Sequence, residues 1–219
     1  MADKTTIHKR TVISKWLYRH SKIGITGKFT CNKNINPLFF QSYLELGVLR
    51  YFALDNSVDL MDSQTGTMKW LPKGKKALRN YTPDIILVLE SGEIIFVEVK
   101  PSGKAEGDQK EKLDEIRLTF EQAGYSFRVV TEKEVPYEMF VNAGHLLQAS
   151  IEHFETSFLE VIVDSISSML PNIFSFSEFH QSLLRFGFPV CPYVLIRAGY
   201  FSFDMKALLT PNTLIWRQS

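Results

Sequence analysis

Asp84, Glu98 and Lys100 are the residues whose types and spacing could do chemistry together. Two carboxylates held close together repel each other unless a cation lies between them. Carboxylate oxygens are ligands that Mg²⁺ prefers, together with water and phosphate oxygens. A Mg²⁺ ion bound there could polarise a phosphodiester and lower the pKa of a water nucleophile, while Lys100 could orient that water or neutralise charge on the phosphorus. The three side chains are therefore candidates for a metal-dependent phosphodiesterase centre.

A β-hairpin between Asp84 and Lys100 is the element that would bring these side chains together. Apolar runs cover 85–89 and 94–97, and the turn between them contains a glycine, which supplies the positive φ that hairpin turns need. Folding the second run back on the first places Asp84 beside the end of its partner strand, and strand alternation puts Glu98 and Lys100 on one face. A Glu-x-Lys pair alone is typical of a structural ion pair, whereas the full arrangement favours a catalytic site.

This arrangement also carries a family resemblance. Pro83-Asp84 followed by Glu98-Val99-Lys100 resembles the PD-(D/E)xK nuclease signature. Together with the segments Gly27 to Asn34 and Gln41 to Leu46, it is similar to TnsA, the endonuclease subunit of heteromeric cut-and-paste transposases. The resemblance covers about residues 20–135, and the short chain resembles the compact TnsA proteins of CRISPR-associated transposons. It implies an α/β fold with a restriction-endonuclease-like mixed β-sheet flanked by helices.

The resemblance also implies roles for individual residues. It assigns four catalytic residues: Glu45 (within Ser42-Tyr43-Leu44-Glu45), Asp84, Glu98 and Lys100. The carbonyl of Val99 would join the carboxylates of Asp84 and Glu98 around the first Mg²⁺, for which Mn²⁺ would substitute. Glu45 would complete this site or bridge to a second one, although its sequence context alone favours a solvated helix acid. Gln41-Ser42 stands where many relatives have Glu-Ser, which affects a supporting contact and not the core chemistry.

The function implied by the resemblance is nicking of the 5′ (non-transferred) strands at the double-stranded DNA ends of a transposon. A separate DDE transposase (TnsB-like) would cut and join the 3′ ends, and an AAA+ regulator (TnsC-like) would contact the protein. Two alternatives remain open: a non-catalytic DNA-binding or scaffold protein that retains the nuclease fold, and a stand-alone restriction or repair nuclease.

The charge of the chain is unevenly distributed. The net charge of the 219 residues is only +1, but the first 33 residues are strongly basic, and a second cluster contains no acid: Lys69, Lys73, Lys75, Lys76 and Arg79. Such clusters could neutralise DNA phosphates, although solvated faces are the commoner role of basic runs. Two cysteines without metal-ligand spacing, no apparent signal peptide and no long apolar run favour a soluble, intracellular protein without a membrane contact. The resemblance implies a cytoplasmic bacterial protein that is nucleoid-associated during transposition.

Three regions are expected from the sequence. They are a basic N-terminal arm (1–36) with a short helix around 11–20, a nuclease core (37–135), and a winged-helix-like C-terminal domain (136–219). In the core, a helix is predicted from Pro37 to about Leu54, and a crossover helix over 108–123 precedes a strand over 125–131. In the last region the apolar pattern predicts helical segments at 145–169, 177–186 and 191–198, and a two-stranded wing from 200–203 and 213–216. The last helix is too apolar to read a DNA groove, which favours a packing role or a contact with protein.

Overall fold

The computed structural model describes residues 25–218, which form two compact units, one ending at Val135 and the other beginning at Pro136. The helix predicted around 11–20 lies outside the described residues. The elements of the first unit are β1 (Gly27–Phe29), β2 (Leu38–Phe40), α1 (Tyr43–Leu54), β3 (Val58–Ser63), β4 (Met68–Trp70), β5 (Arg79–Tyr81), β6 (Ile85–Leu89), β7 (Ile94–Val99), α2 (Ser102–Ala105), α3 (Lys110–Gln122) and β8 (Ser126–Val130). Those of the second unit are α4 (Tyr137–Gln148), α5 (Thr156–Ser167), β9 (Ile173–Ser175), α6 (Phe176–Arg185), α7 (Pro192–Arg197), β10 (Phe201–Ser202) and β11 (Leu214–Arg217).

The central sheet of the first unit has the strand order β3-β6-β7-β8. β6 runs antiparallel to both β3 and β7, whereas β8 runs parallel to β7. Gly92 adopts a φ of 83° in the tight turn between β6 and β7, a conformation that glycine reaches without strain. Parallel pairing of β7 with β8 requires a crossover, which α3 provides. The predicted α/β fold with a mixed sheet and flanking helices is therefore confirmed.

An aromatic core holds the crossover helix against the sheet. Ile116 and Phe120 of α3 are almost fully buried, as the sequence pattern predicts, and they cluster with Trp70, Phe96 and Phe127. The rings of Phe120 and Phe127 stack with their centroids 5.1 Å apart. Buried aromatic side chains of this size contribute strongly to stability, so this core fixes the position of β7 and of the residues that follow it.

The beginning of α1 differs from the sequence-based prediction. The helix begins at Tyr43 and not at Pro37, because Leu38–Phe40 pairs antiparallel with Gly27–Phe29. Ser42 then caps the helix, since its hydroxyl accepts a hydrogen bond from the backbone N–H of Glu45 at 3.1 Å. A short helix, α2, also follows Pro101, where the sequence indicates only a break.

The second unit combines four helices with a three-stranded antiparallel sheet of order β10-β11-β9. The apolar stretch 145–169 is not one helix, because residues 149–155 separate α4 from α5. β9, which the sequence pattern did not indicate, adds a third strand to the predicted two-stranded wing. The winged-helix class of this unit stays a prediction. None of the helices within residues 25–218 has the length and apolar character that crossing a bilayer requires.

Candidate active site

Asp84 closes the open end of the β6–β7 hairpin with its side chain. It directly precedes β6, whose first residue, Ile85, lies opposite Val97. The Oδ2 atom of Asp84 accepts a hydrogen bond from the backbone N–H of Val99 at 2.8 Å. Beyond the last paired residues of β6 and β7, the carboxylate of Asp84 thus accepts a hydrogen bond from β7 that a backbone carbonyl would accept in a longer ladder. This bond fixes Asp84 beside the end of β7.

Lys100 brings three oxygen-bearing groups together around its ammonium nitrogen. This Nζ atom lies 2.5 Å from Oε1 of Glu98, 3.6 Å from Oδ2 of Asp84 and 3.2 Å from the carbonyl oxygen of Val99. Glu98 and Lys100 are two residues apart, so strand alternation directs both to one face. The Glu98 side chain is only 6% exposed, and that of Lys100 is 26% exposed. The structure therefore brings together Asp84, Glu98, Val99 and Lys100, four of the five residues that the sequence singles out.

Burial and an excess of negative charge together set the pKa values of Asp84 and Lys100. Burial, and then the neighbouring carboxylate of Glu98, raise the pKa of Asp84 to about 7, although Lys100 and the Val99 N–H oppose the shift. Burial alone would lower the pKa of Lys100, but the attraction of Asp84 and Glu98 outweighs it and raises that pKa. One ammonium therefore faces two carboxylates, and a further cation would relieve their repulsion.

Tyr81 is a residue of this site that sequence reasoning missed. It ends β5 and is buried, and burial together with the nearby Glu98 carboxylate raises the pKa of its hydroxyl. Among residues 25–218, neither the Tyr81 hydroxyl nor Oε2 of Glu98 has a hydrogen-bond partner. Tyr81 lies three positions before Asp84 in the sequence, but no sequence pattern indicated that it would lie beside Glu98.

Glu45 is held differently from the other four residues. It lies in the first turn of α1, where Oε2 accepts from the backbone N–H of Gln41 at 2.7 Å and Oε1 accepts from the Ser42 hydroxyl at 3.0 Å. Its negative charge still contributes to raising the pKa of both Asp84 and Lys100. Within the described part of the chain, no three His, Cys, Asp or Glu side chains lie close enough together to hold a metal ion. The role predicted for Glu45 stays a prediction.

The donor set around Lys100 fits a divalent cation. The buried Oε2 of Glu98 lacks a partner, and the raised pKa of Asp84 reflects a neighbouring negative charge. With the carbonyl of Val99, these groups offer the hard oxygen ligands that Mg²⁺ binds, and Mg²⁺ needs only one or two carboxylates because water and phosphate supply the rest. Asp84, Glu98 and Val99 would therefore hold such an ion.

Comparison with known proteins identifies the segment that contains this centre. Residues 55–132 match the family model described as TnsA-like endonuclease N terminal. No curated protein matches the chain. The matched segment extends from the end of α1 through β8, and it contains every residue of the candidate centre except Glu45. Because both the match and the mixed sheet point to the same class of nuclease, residues 55–132 are identified as a TnsA-like endonuclease N-terminal domain.

Proposed function

We propose that this chain is a metal-dependent DNA endonuclease that nicks the 5′ (non-transferred) strands at transposon ends, as one subunit of a heteromeric transposase. One observation carries the proposal: Asp84, Glu98 and Lys100 converge at the open end of one hairpin, within a domain of the TnsA-like endonuclease type. A partly buried cluster of two carboxylates and one ammonium is costly to maintain for folding alone, which supports a chemical role.

The residues of the cluster can divide the work of phosphodiester hydrolysis. A Mg²⁺ or Mn²⁺ ion supplied to the site would polarise the phosphate and lower the pKa of a water molecule. Asp84, Glu98 and the Val99 carbonyl would hold the cation. The ammonium of Lys100, within 3.6 Å of all three groups, can donate a hydrogen bond to the attacking water or to a phosphate oxygen. Glu45 completes the cation site if its carboxylate leaves Gln41 and Ser42.

Partner proteins are proposed because the candidate centre itself cannot recognise a DNA sequence. The side chains of the centre do not read base edges, so the protein needs help to find a transposon end. The TnsA-like domain supports double-stranded DNA as the substrate, with a DDE transposase (TnsB-like) and an AAA+ regulator (TnsC-like) as the components that select and position that DNA.

Nicking of supercoiled plasmid with Mg²⁺ or Mn²⁺ tests the proposal. The wild-type protein is compared with Asp84→Ala and with Asp108→Ala, which removes an exposed carboxylate from the loop before α3. The same three proteins are then assayed with candidate partner proteins on DNA that contains transposon ends, and the cut strand is mapped. We expect nicks on the 5′ strands from the wild type and Asp108→Ala only. Equal cleavage by all three, or none by any of them with the partners present, would overturn the proposal.

A second candidate is a DNA-binding protein that retains the nuclease fold without cutting. The hydrogen bonds of Glu45 favour it, because both of its carboxylate oxygens are engaged at the start of α1. Binding of Mg²⁺ distinguishes the two candidates without an activity assay. A non-cutting protein that has lost its metal site should show the same melting temperature with and without Mg²⁺, whereas the proposed nuclease should be stabilised.

A further inference from the structure

The paired strands β4 and β5 form a separate two-stranded hairpin with an exposed loop. Met68 lies opposite Tyr81, and Trp70 lies opposite Arg79. Residues 71–78 join the strands, and nearly all of them are exposed. The loop contains a tight turn, because the Lys75 N–H donates to the carbonyl of Pro72 at 3.0 Å and Gly74 has a φ of 72°. The hairpin is thus an ordered ribbon that ends in a defined turn.

The charge of this hairpin has one sign. Residues 68–83 contain five basic side chains and no acidic one. Lys73 pairs with Glu111 at 3.3 Å, which leaves four cations that have no acidic partner within 4.0 Å among residues 25–218: Lys69, Lys75, Lys76 and Arg79. Like charges held on one ribbon repel each other, so this arrangement favours an anionic ligand with several charges.

The base of the hairpin is anchored in the core of the nuclease unit. Trp70 and Tyr81 are buried in the aromatic cluster around Phe120. The backbone N–H of Lys73 also lies 3.3 Å from both carboxylate oxygens of Glu115 on α3, which ties the loop to the crossover helix. The base of the ribbon is therefore held in place, and less conformational entropy is lost when the ribbon binds a ligand.

The same hairpin leads directly into the candidate centre. Tyr81 ends β5 beside Glu98, and Asp84 follows three residues later. Lys75 is six residues from Tyr81, so at about 3.3 Å per residue it can lie at most about 20 Å away. Phosphates of one DNA strand advance by 3.4 Å per base pair, so this reach corresponds to about six base pairs. A duplex whose phosphate lies at the centre would thus have neighbouring phosphates within reach of the loop.

We infer that the β4–β5 hairpin is a phosphate-binding ribbon, which holds the DNA backbone within about six base pairs of the scissile position. Lys69, Lys75, Lys76 and Arg79 contact phosphates and not base edges, so the ribbon contributes affinity without sequence preference. The inference rests on the proposed function, since it identifies DNA as the ligand through the phosphodiester chemistry of the adjacent centre.

Binding of a short fluorescein-labelled DNA duplex of arbitrary sequence, in EDTA so that no metal-dependent cleavage occurs, tests the ribbon. The variant Lys69→Gln/Lys75→Gln/Lys76→Gln is compared with the control Arg117→Gln/Arg128→Gln/Lys133→Gln. The control loses the same charge from one half-buried and two exposed cations of the same unit that already pair with acidic residues. Fluorescence anisotropy is measured between about 50 and 200 mM salt for both full-length variants and the wild type.

We expect the ribbon variant to bind at least about tenfold more weakly than the wild type, and its salt dependence to fall by about one unit of slope for each lysine lost. The control should bind nearly as the wild type does. Equal affinity of both variants, or no binding of duplex by the wild type at about 50 mM salt, would overturn the inference. A failed nicking assay together with a strong ribbon effect would reject the proposed function and leave the phosphate-binding ribbon standing.

Discussion

The Nζ atom of Lys100 lies 2.5 Å from Oε1 of Glu98, and the Glu98 side chain is almost completely shielded from solvent. The other oxygen of Glu98 is buried without a hydrogen-bond partner among the described residues, and Asp84 adds a second carboxylate 3.6 Å from the same ammonium. One positive charge therefore compensates two negative ones in a region of low polarity. The metal-free centre retains electrostatic repulsion that a divalent cation would remove.

The first prediction concerns the pH dependence of stability in the metal-free protein. The pKa of Asp84 is raised to about 7 in the folded state by burial and by Glu98, so the folded protein holds this proton more tightly than the unfolded chain does. The contribution of Asp84 to stability is therefore full at about pH 4 and is lost as the pH rises through about 7. Asp84→Asn should remove this dependence and raise the free energy of unfolding at about pH 8 by on the order of 2 kcal/mol.

Urea unfolding in EDTA at about pH 5 and pH 8 measures this effect. Asp108→Asn is the matched control, because it removes an exposed carboxylate from the same unit. The difference between Asp84→Asn and wild type should be larger at the higher pH, because the contribution of Asp84 is lost progressively as the pH rises from about 4 to about 7. A variant that is less stable than wild type at pH 8 would contradict the prediction.

The second prediction concerns the ammonium of Lys100. Lys100→Met should lower the free energy of unfolding of the metal-free protein by about 2–4 kcal/mol at neutral pH, since it leaves two partly buried carboxylates without their cation. Addition of Mg²⁺ should then raise the melting temperature of this variant more than that of the wild type. Lys104→Met, an exposed lysine on α2, serves as the control, and equal melting behaviour of the two variants would contradict the prediction.

The third prediction concerns the buried hydroxyl of Tyr81. Tyr81→Phe should change the free energy of unfolding by less than about 1 kcal/mol, or increase it, because the hydroxyl has no hydrogen-bond partner among the described residues. Tyr81→Ala should lower the free energy of unfolding by about 3–5 kcal/mol, because it empties part of the aromatic core. Chemical denaturation measures both values. A loss of more than about 2 kcal/mol in Tyr81→Phe would show that the hydroxyl makes a stabilising bond.

The fourth prediction separates two roles of Glu45. Glu45→Gln keeps an acceptor oxygen for the Gln41 N–H, so its stability should stay within about 0.5 kcal/mol of the wild type, whereas Glu45→Ala should cost about 0.5–2 kcal/mol. If Glu45 holds a cation, both variants should lose nicking activity and bind Mg²⁺ more weakly. Full nicking activity of Glu45→Gln would show that Glu45 only stabilises the start of α1 and does not hold a cation.

Local patterns predicted the hairpin and the crossover unit well. The apolar runs in Ile85 to Leu89 and Ile94 to Val99 lie on either side of a glycine turn, and α3 has its apolar residues at helical spacing, so short-range rules suffice for both. These rules also placed Asp84 beside Lys100, because strand pairing fixes which ends meet.

Long-range packing explains what the sequence did not reveal. Leu38–Phe40 became a strand because Gly27–Phe29 lies beside it, and a Cβ atom on Gly27 would lie only 2.5 Å from the Phe40 ring. The position of Tyr81 beside Glu98 likewise depends on how the β4–β5 hairpin packs on α3 and the sheet. The spacing of apolar residues within one segment does not predict a contact between side chains of different elements. The placement among CRISPR-associated transposons stays a prediction.

The bond between the Asp84 carboxylate and the Val99 N–H has a consequence for genetic screens. In the proposed nuclease the same side chain both accepts a hydrogen bond from this main-chain N–H and holds the cation, so most replacements at this position should damage folding and chemistry together. Inactive clones collected at random would therefore mix misfolded molecules with intact ones. If the proposed function holds, the isosteric amide, which keeps an acceptor for the N–H, should give an inactive subunit that still enters the transposase assembly, and thus a way to trap that assembly on uncut DNA.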